Sequence, residues 1–140
     1  MGVNLGGIVV VGEIEPAKEI VHFHRNGYTL IFLDLSYWDV LDFSTICEAG
    51  LLYKADFSKD EHVEELMKLL QGRTFIIFYY SEWADITDQE YGVVFKNGIF
   101  SKRTENIYDE FFKLNLSFEF MFDHSFWNYE RAKNTYLTNL

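Results

Sequence analysis

The chain predicts an α+β fold in a single domain, a mainly antiparallel twisted sheet with two to four helices packed on it. Three observations carry that expectation. Two Asn-Gly pairs, Asn26-Gly27 and Asn97-Gly98, each separate short runs rich in β-branched and aromatic residues. Asn-Gly between such runs marks a two-residue hairpin, because a type I′ turn needs positive φ at both central positions. Between the hairpins, Ser58-Lys59-Asp60-Glu61 is a capping box, and the apolar residues after it fall at helical spacing. Finally, 140 residues with 49% apolar and 19% aromatic content can bury one sizeable core but not two, so residues 1–140 read as one domain.

Taken in order, Gly7–Ile14 is a continuous β-branched strand, and Glu19–Arg25 pairs with Tyr28–Leu33 across Asn26-Gly27. Ser36-x-x-Asp39 then starts a helix directly after the strand ending near Asp34. In that helix Val40, Phe43, Cys47 and Leu51 share one face, which makes Cys47 a small core hydrophobe rather than a reactive thiol. After the capping box, Val63, Leu66, Met67 and Leu70 form one apolar stripe, and Gly72 stands where a C-terminal cap belongs. Arg73–Tyr80 is a strand, Ser81–Glu90 a loop or irregular connection, and Tyr91–Lys96 meets Ile99–Lys102 across Asn97-Gly98. Ile107, Tyr108, Phe111 and Phe112 suggest a short helix after Thr104. Ser117–Phe122 alternates like a last strand, and Ser125–Leu137 closes as a helix.

The single cysteine excludes an internal disulfide framework and any multi-cysteine zinc site, which fits a reducing compartment. The first residues lack a basic region followed by an apolar run of signal length, and the longest apolar runs elsewhere are strand-sized. A cytoplasmic location with no membrane contact is the expectation. The net charge of −10 argues against direct nucleic-acid binding, which draws on clustered lysine and arginine. Its distribution is uneven: residues 1–33 carry −1, residues 34–95 carry −9 and residues 96–140 carry 0. A fold that gathers the middle segment onto one surface speeds encounter with a basic partner. The bland account of the same charge is solubility.

Enzyme signatures are missing: there is no G-x-S-x-G elbow, P-loop, G-x-G-x-x-G or H-E-x-x-H. His22 and His24 alternate on a strand, share a face and could jointly hold a metal. The sequence offers them no evident third ligand, since His62 sits on a charged helix and His124 lies far off. The expectation is therefore no metal, no cofactor and no catalytic residue. A small enzyme using carboxylates, or an acidic adaptor in another complex, stand as the alternatives in other functional classes.

"GEIEPAKEIVHFHRNGYTLIFLDLSYWDVLDFSTICEAGL", Gly12 to Leu51, resembles the amino-terminal half of the immunity proteins of bacterial contact-dependent growth inhibition systems. The residues that carry the likeness are Gly12-Glu13-Ile14, the hairpin, Leu35-Ser36-Tyr37-Trp38, Asp42 and Phe43; it departs at Cys47. The resemblance implies a cytoplasmic, non-enzymatic protein that binds and neutralises a cognate toxin domain, very often a basic nuclease. Because such families vary where they touch their toxins, Leu35–Trp38 is expected to be structural. The toxin-facing surface is expected at two acidic segments. One is Glu82, Trp83, Asp85, Asp88 and Glu90, where carboxylates ring an aromatic anchor; the other is the helix start with Asp56, Asp60, Glu61 and Glu64. The competing accounts are that Trp83 belongs to the core and that the helix-start acids are solvated residues favoured by the macrodipole.

Overall fold

The computed structural model describes residues 2–32, 60–83, 86–114 and 126–139. Six strands, β1 (Gly2–Val11), β2 (His22–Arg25), β3 (Tyr28–Phe32), β4 (Phe75–Trp83), β5 (Ile86–Lys96) and β6 (Ile99–Thr104), form one sheet in the order β2-β3-β1-β4-β5-β6. Every neighbouring pair is antiparallel. Three helices accompany them among the described residues: α1 (Asp60–Leu70), α2 (Ile107–Lys113) and α3 (Tyr129–Thr138). The α+β expectation holds.

Both Asn-Gly pairs are tight hairpin turns with all four residues at positive φ: Asn26 at 52°, Gly27 at 84°, Asn97 at 53° and Gly98 at 81°. They close Arg25 on Tyr28 and Lys96 on Ile99, as the type I′ argument requires. Gly72, at φ 71°, follows the end of α1. The two glycine turns meet. The Gly98 N–H donates to Arg73 O at 2.7 Å and the Asn97 N–H to Thr74 Oγ1 at 3.2 Å, and a Cβ on Gly98 would come within 2.6 Å of Gly72 N. Gly27 occupies the same turn position with nothing within 4 Å of its would-be Cβ. Gly27→Ala should therefore cost only backbone strain, about 1 kcal/mol, and Gly98→Ala about 2 kcal/mol or more. Urea unfolding of both variants checks this; equal losses would remove the docking of the β5–β6 turn on the end of α1.

Strand alternation sorts the core into two layers. Ile8, Val10, Ile31, Phe75, Ile77, Val93 and Phe95 face one side, where Leu66 and Leu70 of α1 and Ile14 and Ile20 of the β1–β2 connection cover them. Val9, Leu30, Ile76, Phe78 and Val94 face the other, beneath Ile107 and Phe111 of α2, Ala132 and Tyr136 of α3, and Trp127. Of the predicted stripe of α1, Leu66 and Leu70 are in the core and Met67 packs against it. Asn106 and Asn128 cap α2 and α3, each accepting a backbone N–H three residues on.

Three expectations shift. The first strand starts at Gly2 and ends at Val11, because Gly12 at φ 104° turns the chain out of the ladder and Thr29 Oγ1 takes the Ile14 N–H at 2.9 Å. The second strand is shorter than Glu19–Arg25, since the chain first turns through Ala17 O, which accepts the Ile20 N–H at 2.9 Å. Ser81–Glu90 is not a loop. The strands run through Trp83 and resume at Ile86, with Glu82 opposite Thr87 and Trp83 opposite Ile86. What holds it extended is β1, whose Gly2–Leu5 pair with Trp83–Tyr80. The helix expected after Ser36, the Leu35–Trp38 motif, Cys47, Ser58 and the Ser117–Phe122 strand lie outside the described residues.

Candidate functional site

The acidic hairpin is built on the part of β4 and β5 that lies alongside the first residues of β1. Pairing of β3 with β1 reaches Gly7 and Phe32, and pairing of β6 with β5 reaches Gly92 and Thr104. Beyond those points the described ladder continues through β1, β4 and β5 alone, for roughly 15 Å at strand rise. This three-stranded extension carries the backbone of Glu82, Trp83, Asp88 and Glu90. Glu90 pairs with Tyr80, and Asp88 is the extra residue of a bulge between the Ser81–Gln89 and Glu82–Thr87 pairs. Asp85 lies outside the described residues, within the two positions between the strands, as does Asp56 before α1. Residues 2–6 and 79–91 together include four carboxylates and no lysine or arginine. Asp60, Glu61 and Glu64 are on the first two turns of α1, on the helix that covers the first core layer.

One carboxylate is compensated inside the fold. Glu110 of α2 is buried, with Lys102 Nζ at 2.5 Å and Lys113 Nζ at 3.4 Å from its Oε1. The Glu110 carboxylate and its hydrogen bond are the leading cause of a raised Lys102 pKa. The paired lysines hold this acid inside the fold, away from any partner-facing role.

A second cluster lies at the opposite edge, along β2. His22 and His24 face the same way on the strand, opposite Ile31 and Thr29. The β1–β2 connection folds back beside them and brings Glu15, whose Oε1 is 3.4 Å from His24 Nε2. Several bonds fix that connection. Thr29 Oγ1 donates to Gly12 O and accepts from the Ile14 N–H, both at 2.9 Å, and the Tyr136 hydroxyl donates to Lys18 O at 2.7 Å. Each imidazole also keeps one nitrogen against a backbone carbonyl: His22 Nδ1 is 2.7 Å from Ile20 O and His24 Nε2 is 2.7 Å from Ile14 O. An open cleft of about 520 Å³ lies over the cluster, with Tyr136 and Asn139 of the α3 end on its other wall. Burial, and then the carboxylates of Glu19 and Glu15, push the Tyr136 phenol up from its ordinary value.

The histidine pair was legible in the sequence as two residues on one strand face; Glu15 was not. It is seven and nine residues away in a segment without periodicity, and Pro16, the one proline of the chain, is the only local mark of the reversal that returns it. The acidic hairpin, the start of α1 and the histidine pair lie on different elements, β4–β5, α1 and β2. No helix among the described residues is long and apolar enough to cross a membrane. No family model, no curated protein and no solved structure matches the chain.

Proposed function

We propose that this protein is an immunity protein that binds and neutralises a basic toxin domain, acting in the cytoplasm and without catalysis of its own. The observation that carries the reading is the acidic β4–β5 hairpin. β4 and β5 carry Glu82, Asp88 and Glu90 on one hairpin, Asp85 stands between them in the sequence, and residues 79–91 contain no lysine or arginine, so negative charge is concentrated along one short stretch of the chain. Such concentration raises the encounter rate with a positively charged partner by about tenfold to a thousandfold at low salt. The likeness of Gly12–Leu51 to the growth-inhibition immunity proteins supports the same reading from a separate direction, and the paired backbone gives Trp83 a firmer mount than a loop would.

The test is binding to a toxin domain encoded beside the gene for this protein. Reversal of Asp85, Asp88 and Glu90 to lysine should slow association about tenfold or more and flatten its dependence on salt, because peripheral charges act on encounter. Trp83→Ala should act on the other rate: an anchoring aromatic is worth about 2 kcal/mol or more, a dissociation roughly thirtyfold faster. Both rates are to be measured at two salt concentrations on variants whose circular dichroism matches the parent. Unchanged rates in both would move the interface to the start of α1. Failure of the parent protein to bind, together with failure to protect cells expressing the toxin, would overturn the function.

A further inference from the structure

We propose that Glu15, His22 and His24 form a binding site for a divalent transition-metal ion of the zinc class. One donor atom from each of the three residues lies within 4.8 Å of the others. Two imidazoles and a carboxylate are a ligand set suited to zinc, with bonds of about 2.0–2.1 Å and hence donors about 3.3 Å apart in a tetrahedron. Closing from 4.8 Å to about 3.3 Å asks for at most about 1.5 Å of movement, and the Glu15 side chain, 80% exposed, has room to supply it. The histidines need not move far, because strand β2 sets both on one face and the carbonyls of Ile20 and Ile14 hold their rings.

Those carbonyl contacts are the arrangement metal-ligating histidines ordinarily have. A ring nitrogen facing a carbonyl carries the proton, which fixes the tautomer and leaves the other nitrogen with its lone pair. Here that leaves Nε2 of His22 and Nδ1 of His24. Glu15 Oε1 stands 3.4 Å from His24 Nε2, the nitrogen that faces Ile14 O, so its carboxylate turns toward the Nδ1 side to reach the ion. Three protein ligands leave a fourth position open beside the cleft bounded by Tyr136 and Asn139, where water or a partner's side chain can complete the shell. Nitrogen donors also select against magnesium and calcium, which require oxygen. The sequence shows the histidine pair but not its third ligand, which arrives only through the folding of the β1–β2 connection. The site is independent of the acidic extension and of the toxin-binding reading.

Calorimetric titration of the full chain, stripped of metal by chelation, with Zn²⁺ should show one equivalent bound. Co²⁺ should give the visible absorption of a four-coordinate site, and millimolar Mg²⁺ or Ca²⁺ should not compete. His22→Ala and His24→Ala should each weaken Zn²⁺ by about 100-fold or more, the upper end of what even an outer-shell change costs. Glu15→Gln, an exposed change that leaves the fold intact, should weaken it at least tenfold, so the outcome does not depend on the folding of the histidine variants. Ring-nitrogen NMR shifts on metal addition should be confined to His22 and His24. Uptake below one equivalent, binding undiminished in Glu15→Gln and in the histidine variants, or shifts at His62 or His124 instead would overturn the site.

Discussion

Replacing Gly7 by alanine is expected to destabilise the protein by about 3 kcal/mol or more, a large share of the 5–15 kcal/mol that holds a domain folded. A Cβ at this position would stand 2.5 Å from Ile31 O and 2.8 Å from the Trp127 ring. The first contact decides the size. Ile31 belongs to β3, paired with β1 on one side and β2 on the other, so its carbonyl cannot retreat without disturbing both ladders. Gly92 provides the comparison. Its Cβ would meet Ile107 Cγ2 at 2.8 Å and Thr104 Cγ2 at 3.2 Å, branch methyls that yield by a small shift of α2 and of the end of β6 without breaking a central ladder, so Gly92→Ala should cost about 1–2 kcal/mol. Urea unfolding of the two variants measures the difference, and a Gly7→Ala loss no greater than that of Gly92→Ala would refute the backbone argument.

What the sequence made legible is what local chemistry determines. Asn-Gly specifies positive φ within two residues, and Leu66, Met67 and Leu70 specify a helix face within five, so both survived contact with the structure. The missed pieces depend on partners far away in the chain. Ser81–Glu90 reads as a polar loop because its extended form is imposed by pairing with Gly2–Leu5, about 80 residues earlier. The same holds for Glu15, which reaches His24 only because Thr29 and Tyr136 pin the connection on either side of it. Of the acidic residues picked from the sequence, Asp60, Glu61 and Glu64 are on the helix that the capping box announces, whereas Glu82, Asp88 and Glu90 share a hairpin where a loop was expected.

Phe78→Ala is expected to cost about 3–5 kcal/mol, the range for removing a fully buried aromatic ring. Phe78 lies opposite Gly7 on one neighbouring strand and opposite Gly92 on the other. The two glycines leave room for a large ring between them and let Trp127 and Ile107 reach down to the sheet on either side. Phe78 fills that room at 1% exposure, edge-on to Phe111 at 5.2 Å and to Trp127 at 4.7 Å between ring centroids. Each such pair adds about 0.5–1.5 kcal/mol beyond buried area, so the alanine variant loses packing on the faces that α2 and the Phe126–Trp127 turn present. The arrangement also predicts a coupling. With Phe78 gone, Trp127 can shift into the vacated space and relieve the part of the Gly7→Ala clash that it causes, while the clash with Ile31 O remains. The double variant should therefore be less destabilised than the sum of the single changes, by about 1 kcal/mol. Chemical unfolding of the full cycle reads that term directly. Strict additivity would mean that Trp127 is not the element Gly7 and Phe78 share.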